Sequence, residues 1–221
     1  VWLDDALPAG ATGSGNGDTW NWISANPAPY SGTRAHKSDL KSGLHEHSFN
    51  WATPLVAGPG EVFFTYVYLD PVTPPSQIML SFVATTWEHR AYWGANRITY
   101  GVDQTASRYY MGPLPATGKW VRLEIPAKAL NLEGVSVRGM AFSLFDGAAT
   151  WDYTGKGLPE STTTTTTTDP IGPAVVTVTA TDATATIGSS TDTALLTFTR
   201  TGSTAANLTV NYALSGTAVK W

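Results

Sequence analysis

Cysteine is absent from the 221-residue chain, which excludes a disulfide framework and a thiolate metal site. Charged residues are also scarce, at 14% compared with about 25% in ordinary globular proteins. The net charge of −4 leaves no basic stripe to neutralise phosphates, which argues against a nucleic-acid partner. No apolar run approaches the ~20 residues needed to cross a bilayer, so we expect no membrane span.

Aromatic residues are abundant, with nine tryptophans and nine tyrosines. Low charge combined with many threonines, glycines and aromatic rings is common, by association, in secreted bacterial β-proteins. The composition therefore predicts a secreted or cell-surface protein.

The threonine run at residues 162–168 marks the clearest boundary in the chain. It lies between prolines at 159, 170 and 173 and has no apolar period, so it is typical of an extended linker. The sequence is accordingly divided into a domain over residues 1–157, a Thr/Pro-rich linker over 158–173 and a short segment over 174–221.

The first domain has the two-residue alternation of β-strands, with glycine and proline between the strands. In residues 76–86, for example, Ile78, Leu80 and Phe82 share one face. Only residues 126–134 resemble a helix, of one or two turns. Many short strands with few helices predict an all-β fold, a jelly-roll β-sandwich. The strand-like ends, residues 1–8 and 149–155, are expected to lie near each other.

Residues 85–94, TTWEHRAYWG, concentrate aromatic and polar side chains in one stretch. Alternate side chains of a strand share a face, so Trp87, His89 and Trp93 would point one way and the residues between them the other. The pattern fits a core face backed by a polar surface, and it equally fits a binding face. Aromatic rings match the apolar face of a sugar, and charged side chains match its hydroxyl edge.

We predict that this stretch combines both roles. Trp87 is expected in the core, whereas Trp93 precedes a glycine, where the strand is expected to end and free the ring to reach the rim. Charged residues rarely go inside unpaired, which places Glu88 and Arg90 on the exposed side, paired with each other. The predicted ligand-binding residues are Trp93, Arg90, Tyr92, Glu88 and His47.

Histidines form a second candidate cluster. His45 and His47 would share one strand face with Phe49 and Trp51 in the segment GLHEHSFNW, and a His-x-His pair on a strand can hold zinc or copper. The alternatives are histidines that hydrogen-bond beside the core, or that contact a ligand. A metal site would draw on the four histidines of the chain, His36, His45, His47 and His89.

Acidic residues gather near the two ends of the first domain. Calcium takes six to eight oxygen ligands, so Asp4, Asp5 and Asp152 are predicted to form a structural calcium site if the terminal strands meet. The alternative is that these aspartates cap turns, as expected for Asp146 in the motif FDG.

The Gly-x-Ser-x-Gly motif of nucleophilic catalysis is missing from the sequence. Ser-x-x-Lys occurs once, as SDLK at residues 38–41, but without the Ser-Asp-Asn and Lys-Thr-Gly motifs that accompany it in β-lactamases. A glycosidase needs two carboxylates that flank a cleft, and nothing in the sequence singles out a pair of glutamates. The sequence therefore predicts a protein that is not an enzyme.

Four stretches carry a family resemblance: VWLDDALPAG, YVYLDPVTPP, WEHRAYWG and LFDGAATWDY. On these, residues 1–157 resemble the jelly-roll carbohydrate-binding modules and galactose-binding-like domains of bacterial secreted proteins. The resemblance implies a non-catalytic module that binds a glycan or polysaccharide within a larger extracellular protein, often with a structural calcium. A metal-dependent extracellular enzyme built on the histidines, and a structural or adhesive stalk module, remain as alternatives.

The last segment carries a second resemblance, on VVTVTATD, TFTRTG and LTVNYALSGTA. Residues 174–221 are similar to the first half of a Calx-beta repeat. That family implies three threonine-rich strands of a β-sandwich and neighbouring domains in a longer chain.

Overall fold

The computed structural model describes residues 1–160, 175–184, 186, 194–201 and 208–212. The chain divides into two compact units, Val1–Glu160 and Ser161–Trp221. The strands of the first unit are β1 (Thr12–Asn16), β2 (Asn21–Ile23), β3 (Ala35–Lys37), β4 (Leu44–Asn50), β5 (Leu55–Val56), β6 (Val62–Leu69), β7 (Gln77–Val83), β8 (His89–Gly94), β9 (Tyr109–Gly112), β10 (Trp120–Pro126), β11 (Ser136–Val137), β12 (Gly139–Phe145) and β13 (Ala149–Gly157).

Two large sheets form the body of the first unit, and β5 and β11 add a small two-stranded antiparallel sheet. A six-stranded sheet has the order β1–β4–β12–β7–β8–β9, and a five-stranded sheet has the order β10–β6–β13–β3–β2. Neighbouring strands are antiparallel except for the parallel pair β8–β9. Leu3 forms an antiparallel bridge with Thr154, so the two ends of the unit meet as expected. The predicted all-β sandwich is confirmed.

The core lies between the two sheets and follows the predicted alternation. The central strands of both sheets turn every second side chain inward, and the apolar ones among these form one cluster. From the six-stranded sheet it includes Ile78, Leu80, Phe82, Phe142 and Leu144, and from the five-stranded sheet Phe63, Val67, Leu69, Leu123, Ile125 and Trp151.

The predicted helix at residues 126–134 is a single 3-10 turn, Ala127–Leu130. It ends where Asn131 adopts a left-handed conformation with φ of 57°, which few residues other than glycine and asparagine adopt readily. No helix among the described residues is long and apolar enough to cross a membrane.

In the second unit, β14 (Val175–Asp182) and β15 (Leu195–Thr201) form an antiparallel pair. These are two of the three strands expected there. The third expected strand begins at residue 208, but the described residues 208–212 are not in a strand. The threonine run at 162–168 and the rest of the third segment lie outside the described residues.

Candidate functional site

A groove of about 330 Å³ crosses the outer face of the six-stranded sheet. Ser14, Ser48, Ala141, Ser81 and Arg90 occupy successive paired positions on five neighbouring strands, β1, β4, β12, β7 and β8. All five line the groove. Strands lie ~4.8 Å apart, so this row is about 19 Å long. Because most of its side chains are small, the row is a trench that runs across the strands.

Strand β4 shows why the groove is polar. Its inward-facing residues, two histidines and a phenylalanine, are buried in the sandwich. The residues between them, Glu46, Ser48 and Asn50, are half-buried and line the groove. The same alternation therefore builds the core on one side and a hydrogen-bonding surface on the other.

Arg90 closes one end of the row and is held in place by several contacts. Its Nη1 and Nη2 donate to the two carboxylate oxygens of Glu88 at 3.2 and 3.1 Å, and Nη1 also donates to the Ser107 carbonyl at 3.0 Å. The guanidinium lies 5.6 Å from the ring centre of Tyr100. These contacts fix the cation and neutralise it, as expected for the Glu88–Arg90 pair. The expected exposure of Arg90 is wrong, however, because these contacts surround its side chain and leave the residue 6% exposed.

Glu46 places a carboxylate inside the groove. Ser143 Oγ donates to Glu46 Oε2 at 2.7 Å, and no hydrogen bond from the described residues engages Oε1. Burial raises the pKa of the Tyr100 phenol, and the nearby Glu46 charge raises it further. Glu46 therefore offers one acceptor oxygen to a ligand and leaves the groove with negative charge.

Two aromatic rings, those of Trp87 and Tyr100, line the groove. Both side chains are half-buried. The expectation that Trp87 lies in the core is wrong, because β8 begins only at His89 and Trp87 is in the preceding bend. Trp87 is thus free of the strand alternation and stands over the polar face.

Trp93 is 6% exposed and belongs to the core cluster, so its expected position at the rim is wrong. It lies inside β8, where its pairing with Ile78 fixes it on the inward face. A ligand in the groove cannot stack on this ring.

Tyr92 faces outward but is 2% exposed, so its expected exposure is wrong. The segment after β8 covers it: Ile98 packs on the ring, and the phenol donates to Asp103 Oδ1 at 2.8 Å. Burial and this hydrogen bond raise the pKa of Tyr92 to about 12. Of the predicted ligand residues, Arg90 lines the groove and Glu88 anchors it.

His47 is fully buried and points into the core, away from the groove. It shares a 2.8 Å hydrogen bond with His36 and lies 3.6 Å from Asp18, while His45 donates to Asp18 at 2.8 Å. Burial raises the pKa of Asp18, but the hydrogen bond from His45 and the nearby His47 ring outweigh it and lower the pKa to about 2. The expected ligand contact of His47 is therefore wrong: it belongs to a buried polar network.

The fourth histidine is separate from that network, since His89 shares a hydrogen bond with the Leu130 carbonyl. Among the described residues, no group of three or more histidines and acids is arranged to hold a metal ion. Trp51, expected beside His47 on the same face, is 75% exposed, because it follows the end of β4.

The acidic cluster near the chain ends is only partly assembled. Asp152 accepts amide hydrogen bonds from Tyr30 and Ser31, and burial raises its pKa, with a further contribution from the Asp4 charge. The buried Asp4 Oδ1 has no hydrogen-bond partner among the described residues. Asp5 instead accepts the amides of Thr33 and Arg34 at 2.6 Å each, so it caps a loop.

Sequence reasoning missed most of the groove. Glu46 and Ser48 alternate with the histidines in GLHEHSFNW, so their shared face could have been predicted from this segment. The prediction was based instead on the histidines of the opposite face. Ser14, Ser81 and Tyr100 carry no such signal, because strand order brings them together from distant parts of the chain.

No protein-family model matches the chain, and no curated protein matches it. Several solved structures are similar. One is a carbohydrate-binding module of the β-sandwich superfamily, with 13% identity and a TM-score of 0.44; the match covers 67% of this chain but only 57% of that one.

Two further similar structures are complexes. TmCBM61 with β-1,4-galactotriose has 13% identity and a TM-score of 0.41, over 68% of this chain and 90% of that one. The family 11 carbohydrate-binding module from Clostridium thermocellum with a β-1,3-1,4-mixed-linked tetrasaccharide has 9% identity and a TM-score of 0.40, over 71% and 93%. In all three comparisons the sequence identity is 13% or lower.

Proposed function

We propose that the first unit is a non-catalytic carbohydrate-binding module and that the groove holds a segment of a polysaccharide. The observation that carries this proposal is the row of small, mostly hydroxylated side chains across five strands, beside the rings of Trp87 and Tyr100. An elongated trench suits a chain of sugar rings. The two rings offer stacking surfaces, and the serines, Asn50 and Glu46 offer hydrogen bonds to hydroxyl groups.

The charges in the groove select among glycans. Arg90 is already neutralised by Glu88, whereas Glu46 has no cationic partner among the described residues. A uronic acid polymer would bring its carboxylates towards Glu46 and be repelled. The groove therefore favours neutral glycans, and amino sugars over uronic acids.

The groove's acids support a binding role rather than hydrolysis. Hydrolysis of a glycosidic bond canonically uses two carboxylates on either side of the bond. Among the residues that line the groove, Glu46 is the one carboxylate, and the nearby Glu88 is engaged by Arg90.

The wider setting is also part of the proposal. A glycan-binding module acts on extracellular polysaccharides, so we place it in a secreted or cell-surface protein of greater length. The threonine-rich strands β14 and β15 support the second unit as part of a Calx-beta-like neighbouring domain.

A structural calcium near the chain ends is proposed on narrower grounds than the sequence suggested. Asp4 and Asp152 fit a hard cation, because one carboxylate oxygen of Asp4 is buried without a partner among the described residues and the Asp4 charge adds to the effect of burial in raising the pKa of Asp152. Asp5 is not part of this proposed site, because its carboxylate accepts the backbone amides of Thr33 and Arg34. A bound calcium would neutralise the two acids, and a chelator should then lower the melting temperature of the protein.

Affinity electrophoresis of the full chain in gels that contain neutral, amino-sugar or uronic-acid polysaccharides tests the proposal. We expect retardation by at least one neutral polysaccharide and none by the uronic-acid gels. Trp87→Ala should weaken retention at least tenfold, since loss of a stacked ring costs roughly 2 kcal/mol or more. Val72→Ala, on a turn where Val72 is 84% exposed and does not line the groove, is the matched control.

Glu46→Gln separates the charge argument from the binding argument. It keeps the shape of the side chain and removes the negative charge, so binding of uronic-acid polymers should improve relative to the parent protein. If no polysaccharide retards the parent, or if Trp87→Ala binds as tightly as the parent, the proposed function is wrong.

A further inference from the structure

A second pocket, of about 270 Å³, opens on the outer face of the five-stranded sheet. It lies on the opposite side of the sandwich from the groove and shares no residue with it. Its floor is Tyr68, Thr150 and Lys37, which occupy paired positions on β6, β13 and β3. Its walls are the loop at residues 26–27 and the turn at residues 70–71.

Several polar groups that line this pocket have donors or acceptors without a hydrogen-bond partner among the described residues. Asp70 Oδ1 takes the amides of Val72 and Thr73 and the Thr73 hydroxyl. No hydrogen bond from the described residues engages its other oxygen, Oδ2. Three further groups have no hydrogen-bond partner in the part of the chain that the structure describes: the Lys37 ammonium, the side-chain amide of Asn26 and the Tyr68 hydroxyl.

Lys37 and Asp70 carry opposite charges yet form no ion pair among the described residues. The Lys37 charge nevertheless reaches Asp70, since it contributes to lowering the Asp70 pKa after the larger effect of the turn amides. Both line the pocket, so the space between them can take a group that accepts from the ammonium and donates to the carboxylate. A hydroxyl group does both.

The ring of Tyr68 adds an apolar surface to these polar groups. It is half-buried and packs edge-on against Trp120, with 5.8 Å between ring centres. Trp120 is fixed in turn, because its indole nitrogen donates to the Ala28 carbonyl at 3.0 Å. The floor is therefore held in place before any ligand arrives, which lowers the cost of binding.

We propose that this pocket is a second saccharide site, which takes a single neutral sugar unit such as the end of a glycan chain. The charges of Lys37 and Asp70 cancel, which favours a neutral ligand, and paired donors and acceptors suit vicinal hydroxyl groups. Its volume lies just below the ~300–1,000 Å³ of drug-sized ligand pockets, so it suits one ring rather than a chain. The site goes beyond the proposed groove function and does not depend on it.

A ¹H–¹⁵N NMR titration of the full chain with methyl glycosides of glucose, galactose, mannose and xylose tests this site. We expect at least one glycoside to shift the amide signals of Lys37, Asp70 and Thr150 in a saturable way. Lys37→Met should weaken this binding about tenfold, which corresponds to the loss of one charge-assisted hydrogen bond. Lys128→Met, at an exposed lysine of the 3-10 turn, should leave it unchanged.

The groove variant Trp87→Ala distinguishes the two sites. It should weaken polysaccharide retention at least tenfold and leave the glycoside shifts at Lys37 unchanged. The second site is refuted if no glycoside shifts the pocket signals, if the shifts do not saturate, or if Lys37→Met binds as tightly as the parent protein. Each of these results would leave the groove proposal standing.

Discussion

At the scale of single residues, the position at which β8 begins determines which side chains of TTWEHRAYWG enter the core. Because β8 begins at His89, the inward set is His89, Ala91 and Trp93, and Trp87 is not a member of it. If β8 began two residues earlier, Trp87 would lie on the same inward face as His89 and Trp93. Because Trp87 precedes the strand, the alternation of β8 does not determine where its side chain points.

The two tryptophans should therefore respond to truncation in opposite ways. Trp93→Ala removes a core ring and should destabilise the protein by about 3–5 kcal/mol. Trp87→Ala removes a half-buried ring outside the sheets and should destabilise the protein by less than about 1.5 kcal/mol, while it weakens polysaccharide binding. Urea denaturation of both variants measures the difference, and equal losses of stability would contradict the placement of the two rings.

His36 makes stability depend on pH. Burial, together with the neighbouring His47, holds the pKa of His36 well below its ordinary value of 6.5, so the folded state stays neutral there while the unfolded chain takes up a proton. Stability from this group is fully present above pH 6.5 and is lost as pH falls below it, by up to about 1.4 kcal/mol per pH unit.

Urea denaturation between pH 7 and pH 5 checks this dependence. The non-titrating variant His36→Gln should show a shallower loss of stability than the parent, by close to one proton. A parent slope that matches the variant slope would mean that His36 is protonated in the folded protein.

At the scale of elements, the segment that follows β8 turns an outward strand face into buried surface. Gln77, itself fully buried, accepts the amides of Arg97 and Ile98 through its Oε1 at 2.5 and 2.8 Å. These bonds hold Ile98 over Tyr92, and the same segment continues to Tyr100 at the groove. One side-chain amide thus connects a wall of the groove to the beginning of β7.

Gln77→Met should loosen this segment. The substitution leaves two backbone amides without an acceptor, at a cost of about 1–3 kcal/mol each. Hydrogen exchange at Arg97 and Ile98 should accelerate, and Gln104→Met, at an exposed glutamine, should leave these rates unchanged. Unchanged exchange in Gln77→Met would show that packing on Tyr92 alone holds the segment.

Alternation was enough to predict most strands and the core. The predicted face of β7 was correct because its apolar residues Ile78, Leu80 and Phe82 repeat every second position over a full strand. The groove could not be predicted, since its row depends on which strands are neighbours, and β12 lies between β4 and β7 through pairings that no local pattern records. Likewise Tyr92 was misplaced because a later segment covers it. Residues that sequence cannot place are those whose surroundings come from far along the chain.

At the scale of the whole molecule, the first unit reaches Glu160. The Glu160 carboxylate accepts a hydrogen bond from the Tyr66 phenol at 3.2 Å and lies 3.4 Å from the Arg122 guanidinium. The predicted boundary at residue 157 would cut off these contacts, so the division after residue 160 is the better one to test.

Residues 1–160 should therefore fold by themselves. We expect the fragment to show the same urea midpoint by tryptophan fluorescence as the first unit in the full chain, and the same affinity for polysaccharide. A lower midpoint for the fragment would mean that the second unit stabilises the first.

The bridge between Leu3 and Thr154 has a consequence for how the unit can be connected. Because its first and last segments are neighbours, a short linker could join residue 160 to residue 1. New ends could then be opened between Ala116 and Thr117, in an exposed loop before β10. Such a circular permutant would keep every strand pairing of both sheets. The order of the strands along the chain can thus be changed without changing how they pair in the sandwich.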